Sequence, residues 1–123
     1  MVMNMAHEHS LDEFRRYREK MNEKILSRGN LGIKRFFNLD TQVYNDGALP
    51  RKTKELLGLV ASLVLRCDDC VTYHIIQCVE TKVSDEEFFE AFNVGLIVGG
   101  SITIPHLRYA VDALEECRRK TGK

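Results

Sequence analysis

Leu56-Leu57-Gly58-Leu59-Val60-Ala61-Ser62-Leu63-Val64-Leu65 leads through Arg66 into Cys67-Asp68-Asp69-Cys70-Val71-Thr72-Tyr73-His74. The first ten residues are apolar on every side of a helical wheel, and a helix apolar all round must be covered all round. The run is too short for a bilayer, which needs about 20 such residues. The spacing therefore predicts a buried soluble helix over about Arg51 to Arg66, and a second helix over about Asp68 to Lys82 that opens on the cysteine motif. Neighbouring helices of the same chain could wrap the apolar run, or a second subunit could cover part of it. Gly95 and Gly99, one turn apart, would also let another helix approach closely. The expected arrangement is a homo-oligomer.

Working outward, almost every other segment carries a helical period. Ser10 with Glu13 reads as a capping box, followed by Leu11, Phe14, Tyr17, Met21 and Ile25 on one face and by Gly29 as a stop. Ile33 to Leu39 reads as a short helix, and Asn45-Asp46-Gly47 with Pro50 as the clear loop. Ser84 with Glu87 makes a second capping box before Phe88, Phe89, Phe92 and Leu96. Gly99-Gly100 breaks that helix, and Pro105 suits the first turn of a last one carrying Leu107, Ala110, Val111, Leu114 and Cys117. The fold class is all-α, a single-domain helical bundle over 1–123, with 1–9 a disordered tail that holds His7 and His9.

The chain has 123 residues with 18 basic and 18 acidic side chains, so no net field draws in nucleic acid or anionic lipid. Its start lacks the apolar core of a secretory signal. Neither a nucleic-acid nor a membrane partner is expected, and the cytoplasm is the expected location. In that compartment Cys67, Cys70, Cys78 and Cys117 are reduced at rest, and a close pair reads as catalytic or metal-binding before it reads as a staple.

Cys67 and Cys70 stand three apart at a helix start, where unpaired N–H groups and the helix dipole favour a thiolate. His74, one turn after Cys70, can take or return the thiol proton near neutral pH. Asp68 and Asp69 act against the thiolate, and Arg66 offsets part of their charge. Cys70 is expected nearest His74, and Cys67 is expected to be the more exposed sulfur at the helix tip. The pair would cycle between dithiol and disulfide, chemistry that needs no cofactor and no metal. Zinc is the rival reading: Cys67, Cys70 and His74 would need His106 or Glu55 as fourth ligand, because Cys78 lies about 12 Å along the helix from Cys70. Core filling by both cysteines is the bland one. Tyr73 is expected to pack, Cys78 to fill the core and Cys117 to sit on a helix face.

From Lys52 to Glu116 the chain resembles the carboxymuconolactone decarboxylase superfamily, in its alkylhydroperoxidase D-like branch. The pieces are Lys54-Glu55-Leu56-Leu57, Cys67-x-x-Cys70-x-x-x-His74, Ser84-Asp85-Glu86-Glu87, and Gly99-Gly100 before Pro105-His106. The resemblance implies an all-α fold over a family core at 52–116, assembled as homo-trimers or homo-hexamers. It implies an antioxidant peroxidase of peroxiredoxin type that reduces a hydroperoxide or disulfide and is recharged by a dithiol donor such as a lipoyl-bearing protein. By position Glu55 would be the acid-base residue, Cys67 and Cys70 the redox pair and His74 the proton relay. Best-known members have a histidine directly before the second cysteine; this chain has Asp69 there, which bears on proton delivery. Straight geometry puts Glu55 about 18 Å along its helix from Cys67. It can reach the site only if the next helix crosses back; otherwise it faces solvent at a helix start. His106, after Pro105, is a further candidate for the same pocket. Two rival functions remain: a metal-binding or redox-sensing oligomeric module, and a lactone decarboxylase that does not use the cysteines.

Overall fold

The structure, a computed structural model, describes residues 10–123; the tail expected at 1–9, with His7 and His9, lies outside them. The described residues form helices and turns with no strand, so the fold is all-α. The chain divides into two compact units, 1–45 and 46–123, and the division falls in the Asn45-Asp46-Gly47 loop.

The first unit holds α1 (Ser10–Arg28) and α2 (Leu31–Val43). Asn30 starts α2: its side chain accepts the Ile33 N–H at 3.0 Å, satisfying one of the donors a helix start leaves open. Gly29 does not end α1 through a left-handed residue, since only Gly100 and Gly122 among the described glycines have positive φ. It is a place of close approach, where a Cβ would stand 2.7 Å from the Ile25 carbonyl oxygen. No residue of α2 is buried, and Phe36 and Leu39 lie open.

The second unit contains α3 (Arg51–Val64), α4 (Asp68–Glu80), α5 (Asp85–Gly99), a 3-10 turn (Ser101–Thr103) and α6 (Ile104–Thr121). α3 packs on α4 and α5, and α4 packs in turn on α6. Leu59 and Leu63 from α3, Val71, Ile75 and Val79 from α4, Phe88 and Phe92 from α5 and Leu114 from α6 fill the core. Each such side chain contributes roughly 1.5–3 kcal/mol by leaving water. The Ser84–Glu87 capping box forms as the sequence predicts, Gly100 ends α5 at φ 80°, and Pro105 lies in the first turn of α6.

The joint between α3 and α4 positions the site. The Arg66 N–H bonds the Leu63 carbonyl and the Cys67 N–H the Ser62 carbonyl, with Arg66 left-handed at φ 60°. This is a Schellman ending in which a non-glycine residue takes the position glycine usually fills. Lys82, at φ 69°, does the same after α4. A left-handed L-residue costs roughly 1–2 kcal/mol, which the core behind the turn must offset. The reward is a reversal tight enough to lay α4 back along α3.

Within its unit α3 is covered on one side only. Leu59 and Leu63 are sealed, but Leu57 is 56% and Leu65 76% exposed, and Ile97 on α5 reaches 86%. Gly95 and Gly99, expected to admit another helix, are engaged within the unit: a Cβ on Gly95 would stand 2.8 Å from Leu63, and Gly99 abuts Thr103 and Val64. Phe89, read with the apolar run of α5, is exposed. No described helix is long and apolar enough to cross a membrane.

Candidate active site

Cys67 is the N-cap of α4, in extended backbone at φ −101° and ψ 96°. Its Sγ accepts the N–H of Cys70 at 3.2 Å, so sulfur does the work an Asp or Ser oxygen does at other helix starts. An acceptor sulfur at this end gains from the helix dipole, more so as thiolate. Cys67 and Cys70 are joined as a disulfide, with Cα atoms 5.3 Å apart. Cys70 is exposed and Cys67 half-buried, the reverse of the order expected from position at the tip. The reason is the turn: Cys67 is tucked against the end of α3 by the Schellman bonds, while Cys70 falls on the outer side of the first turn of α4.

One turn deeper, His74 is buried, and its Nδ1 lies 2.9 Å from Oε1 of Glu55 on α3. An ionised carboxyl only accepts, so in that form the ring nitrogen carries the proton and donates it. α4 therefore does cross back over α3, and Glu55 is wholly buried where a helix-start carboxylate would face solvent. Its Oε2 has no hydrogen-bond partner; the nearest cation is Arg51, one turn earlier, whose Nε is 3.6 Å away. Arg51 is steadied by Gln77 of α4, whose Oε1 accepts from its Nη2 at 2.8 Å.

Gly58 makes room for the imidazole. A Cβ there would stand 2.6 Å from Cε1 and 2.7 Å from Nε2 of His74, closer than real Cβ contacts come. Tyr73 packs edge-on against His74, with ring centroids 5.2 Å apart. Cys78, one further turn along, fills the core as expected; burial first, and then the charge of Glu55, push its thiol up to about 12. Cys117, read as a helix-face residue, is buried too, because its side of α6 turns inward.

His106 reaches α4 from another helix. From the first turn of α6 its Nδ1 reaches Oδ1 of Asp68 at 2.7 Å, beside Cys67. The structure thus brings Glu55 and His74 together, joins Cys67 to Cys70, and places His106 on Asp68. Among the described residues no three His, Cys, Asp or Glu side chains gather as a metal would require, so the zinc set of Cys67, Cys70 and His74 with His106 or Glu55 does not assemble. Sequence reasoning missed Gly58 and Arg51. A signal for both existed: each shares a face of α3 with Glu55, and a glycine inside a run of large apolar residues leaves space that something else must fill.

The family model for the carboxymuconolactone decarboxylase family matches residues 33–116, more than half of the chain. The chain belongs to the carboxymuconolactone decarboxylase family. Two crystal structures of a Thermotoga maritima protein superpose on this family member with TM-scores of 0.87 and 0.84, at 60% and 59% identity. They cover 89% of this chain and 96% and 95% of theirs; the second is described as a carboxymuconolactone decarboxylase family protein with a suggested part in the antioxidative response. A family protein from Legionella pneumophila is more distant, at 28% identity and a TM-score of 0.59 over 89% of this chain and 88% of its own. An uncharacterised protein of Cupriavidus necator is 33% identical over 56% of this chain, a match that spans only 58% of that relative's length. An uncharacterised protein of the cox locus of Paracoccus denitrificans is 27% identical over 66% of this chain and 73% of its own.

Proposed function

We propose that this family member is a thiol-dependent reductase of hydroperoxides, with disulfides as related substrates. The observation that carries the reading is the Cys67–Cys70 disulfide at the N-terminus of α4, with Cys70 open to solvent and a carboxylate-held imidazole one turn below. In the reduced protein the Cys70 thiolate attacks the distal peroxide oxygen. The O–O bond breaks, Cys70 becomes a sulfenic acid, and the alkoxide leaves as alcohol on taking a proton. Cys67, favoured as thiolate by the Cys70 N–H and the helix dipole, displaces hydroxide from that sulfenic acid; a proton turns it into water and the disulfide closes. An external dithiol then reopens the pair by exchange and is itself oxidised to a disulfide. A lipoyl-bearing protein is a donor of that chemistry, and a reducing compartment such as the cytoplasm suits the cycle.

His74 acts as the proton relay and Glu55 as its acid-base support, with Nδ1 held by the carboxylate. The uncovered side chains Leu57, Leu65, Ile97 and Val98 support assembly into a homo-oligomer, a trimer or a hexamer.

The reading is tested by peroxide consumption with dihydrolipoamide as donor, alongside intact mass. Wild-type protein should lose the mass of two hydrogen atoms under mild peroxide and turn over. Cys67→Ser and Cys70→Ser should each abolish turnover, and Cys70→Ser should form no sulfenic acid. Undiminished peroxide turnover by the double variant would end the proposal. Turnover of a carboxymuconolactone by that same variant would favour a decarboxylase running on Glu55 and His74 alone.

A further inference from the structure

The charge placed beside the thiols is unfavourable to them. Asp68 and Asp69 follow Cys67 directly, and both are exposed in the first turn of α4. A carboxylate suits a helix start, but next to a sulfur it disfavours the thiolate. Arg66, the nearest cation in sequence, is exposed on a left-handed residue. The structure supplies a different counterweight. α6 packs on α4, and Pro105 in its first turn sets the helix start that delivers His106. The His106 ring is 24% exposed and its Nδ1 stands 2.7 Å from Oδ1 of Asp68, whose side chain is 47% exposed.

We infer that His106 is a positioning residue for the thiol pair: held on Asp68, it offsets that carboxylate's charge, so that Cys67 forms a thiolate more readily. The inference rests on the redox reading of the pair and adds a residue from a different helix to it. His106 acts through Asp68 and exchanges no electrons. When it carries its proton the pair is neutral, and the sulfur at the N-cap faces the helix dipole without an opposing charge. When His106 is replaced, Asp68 keeps its full charge.

The test reads the thiol directly and does not depend on peroxide turnover, so its failure and that of the peroxidase proposal are told apart. In a Cys70→Ser background Cys67 is the one accessible thiol among the described cysteines, because Cys78 and Cys117 are buried. Its alkylation by iodoacetamide at pH 6.5 should slow by about threefold in His106→Gln, the scale of one charge acting across a largely solvated gap. Adding Asp68→Asn should return the rate to the parent value or above, and Asp68→Asn alone should not slow it. In the protein with both cysteines, the equilibrium with glutathione should shift about threefold towards the disulfide in His106→Gln and return in the double variant. A merely structural role predicts that removing both partners is no better than removing one. Unchanged alkylation in His106→Gln, or a slowed rate that Asp68→Asn does not restore, would overturn the inference.

Discussion

Among the described residues two imidazole–carboxylate pairs each have one member on α4, and they differ in depth more than in length. His74–Glu55 spans 2.9 Å with side chains 10% and 1% exposed, whereas His106–Asp68 spans 2.7 Å at 24% and 47%. The outer pair is the shorter, yet water screens it, and exposed pairs of this kind contribute about 0–1 kcal/mol. The inner pair lies in a medium of low polarity, where removing one partner strands the other and costs about 3–5 kcal/mol. Distance is therefore a poor guide to which pair the fold depends on. The inner pair is part of the architecture, and the outer one can be altered with the fold left standing.

The sharpest break of this contrast is Glu55→Ala, which should lower unfolding free energy by about 3–5 kcal/mol in urea titration and abolish peroxide turnover. A loss below 1 kcal/mol would place the inner pair in the same class as the outer one. Gly58→Ala tests the inner pair from the other side of the ring. The imidazole must move or α3 must yield, so the expected loss is about 1–3 kcal/mol with weakened turnover. Unchanged stability with an unmoved ring would show that the close approach is not obligatory.

Burial, and after it the charge of Glu55, raise the pKa of Cys78. A thiol raised from 9.0 to about 12 gives stability that is fully present below pH 9.0 and is lost as the pH climbs towards the folded value. Unfolding free energy should thus fall above pH 9, with a slope that approaches about 1.4 kcal/mol per pH unit once the unfolded thiol is largely ionised and the folded one is not. Cys78→Ala should flatten that slope by the same amount whatever it does to the absolute value, and parallel profiles for the two proteins would refute the linkage. Arg66→Gly, at the turn that separates the two pairs, should raise stability by about 1 kcal/mol, since glycine accepts the left-handed backbone without cost. A destabilised variant would mean that the arginine side chain matters more than its backbone. The smallest effect belongs to the outer pair. Asp68→Asn should change unfolding free energy by less than about 1 kcal/mol, and the change should shrink further in molar salt.

Much of the fold was legible because local chemistry decides it. Helical period, the Ser84–Glu87 box, Pro105 and Gly100 each fixed a boundary where the structure has one. What stayed out of reach was non-local. Gly29 does follow the last residue of its helix, though without a left-handed φ, and the helix that approaches Gly95 is α3, through Leu63. Glu55 was named from a family pattern, and helical rise alone left it in reach only if the next helix crossed back. The order of exposure of Cys67 and Cys70 came out reversed because the Schellman turn, carried by an arginine in place of the usual glycine, gives no sequence signal.

By itself the sequence determined that this is an all-α chain and that a pair of cysteines opens a helix with a histidine one turn on. Periodicity and cap chemistry act over a few residues and can be read from them. Only the tertiary structure decided which carboxylate holds that histidine, that Gly58 is the floor beneath it, and that a second imidazole reaches Asp68, the residue after Cys67, from α6. Those contacts join residues 16 to 38 positions apart, and what brings them together is the reversal at Arg66 and the packing of three helices, neither of which any single segment encodes.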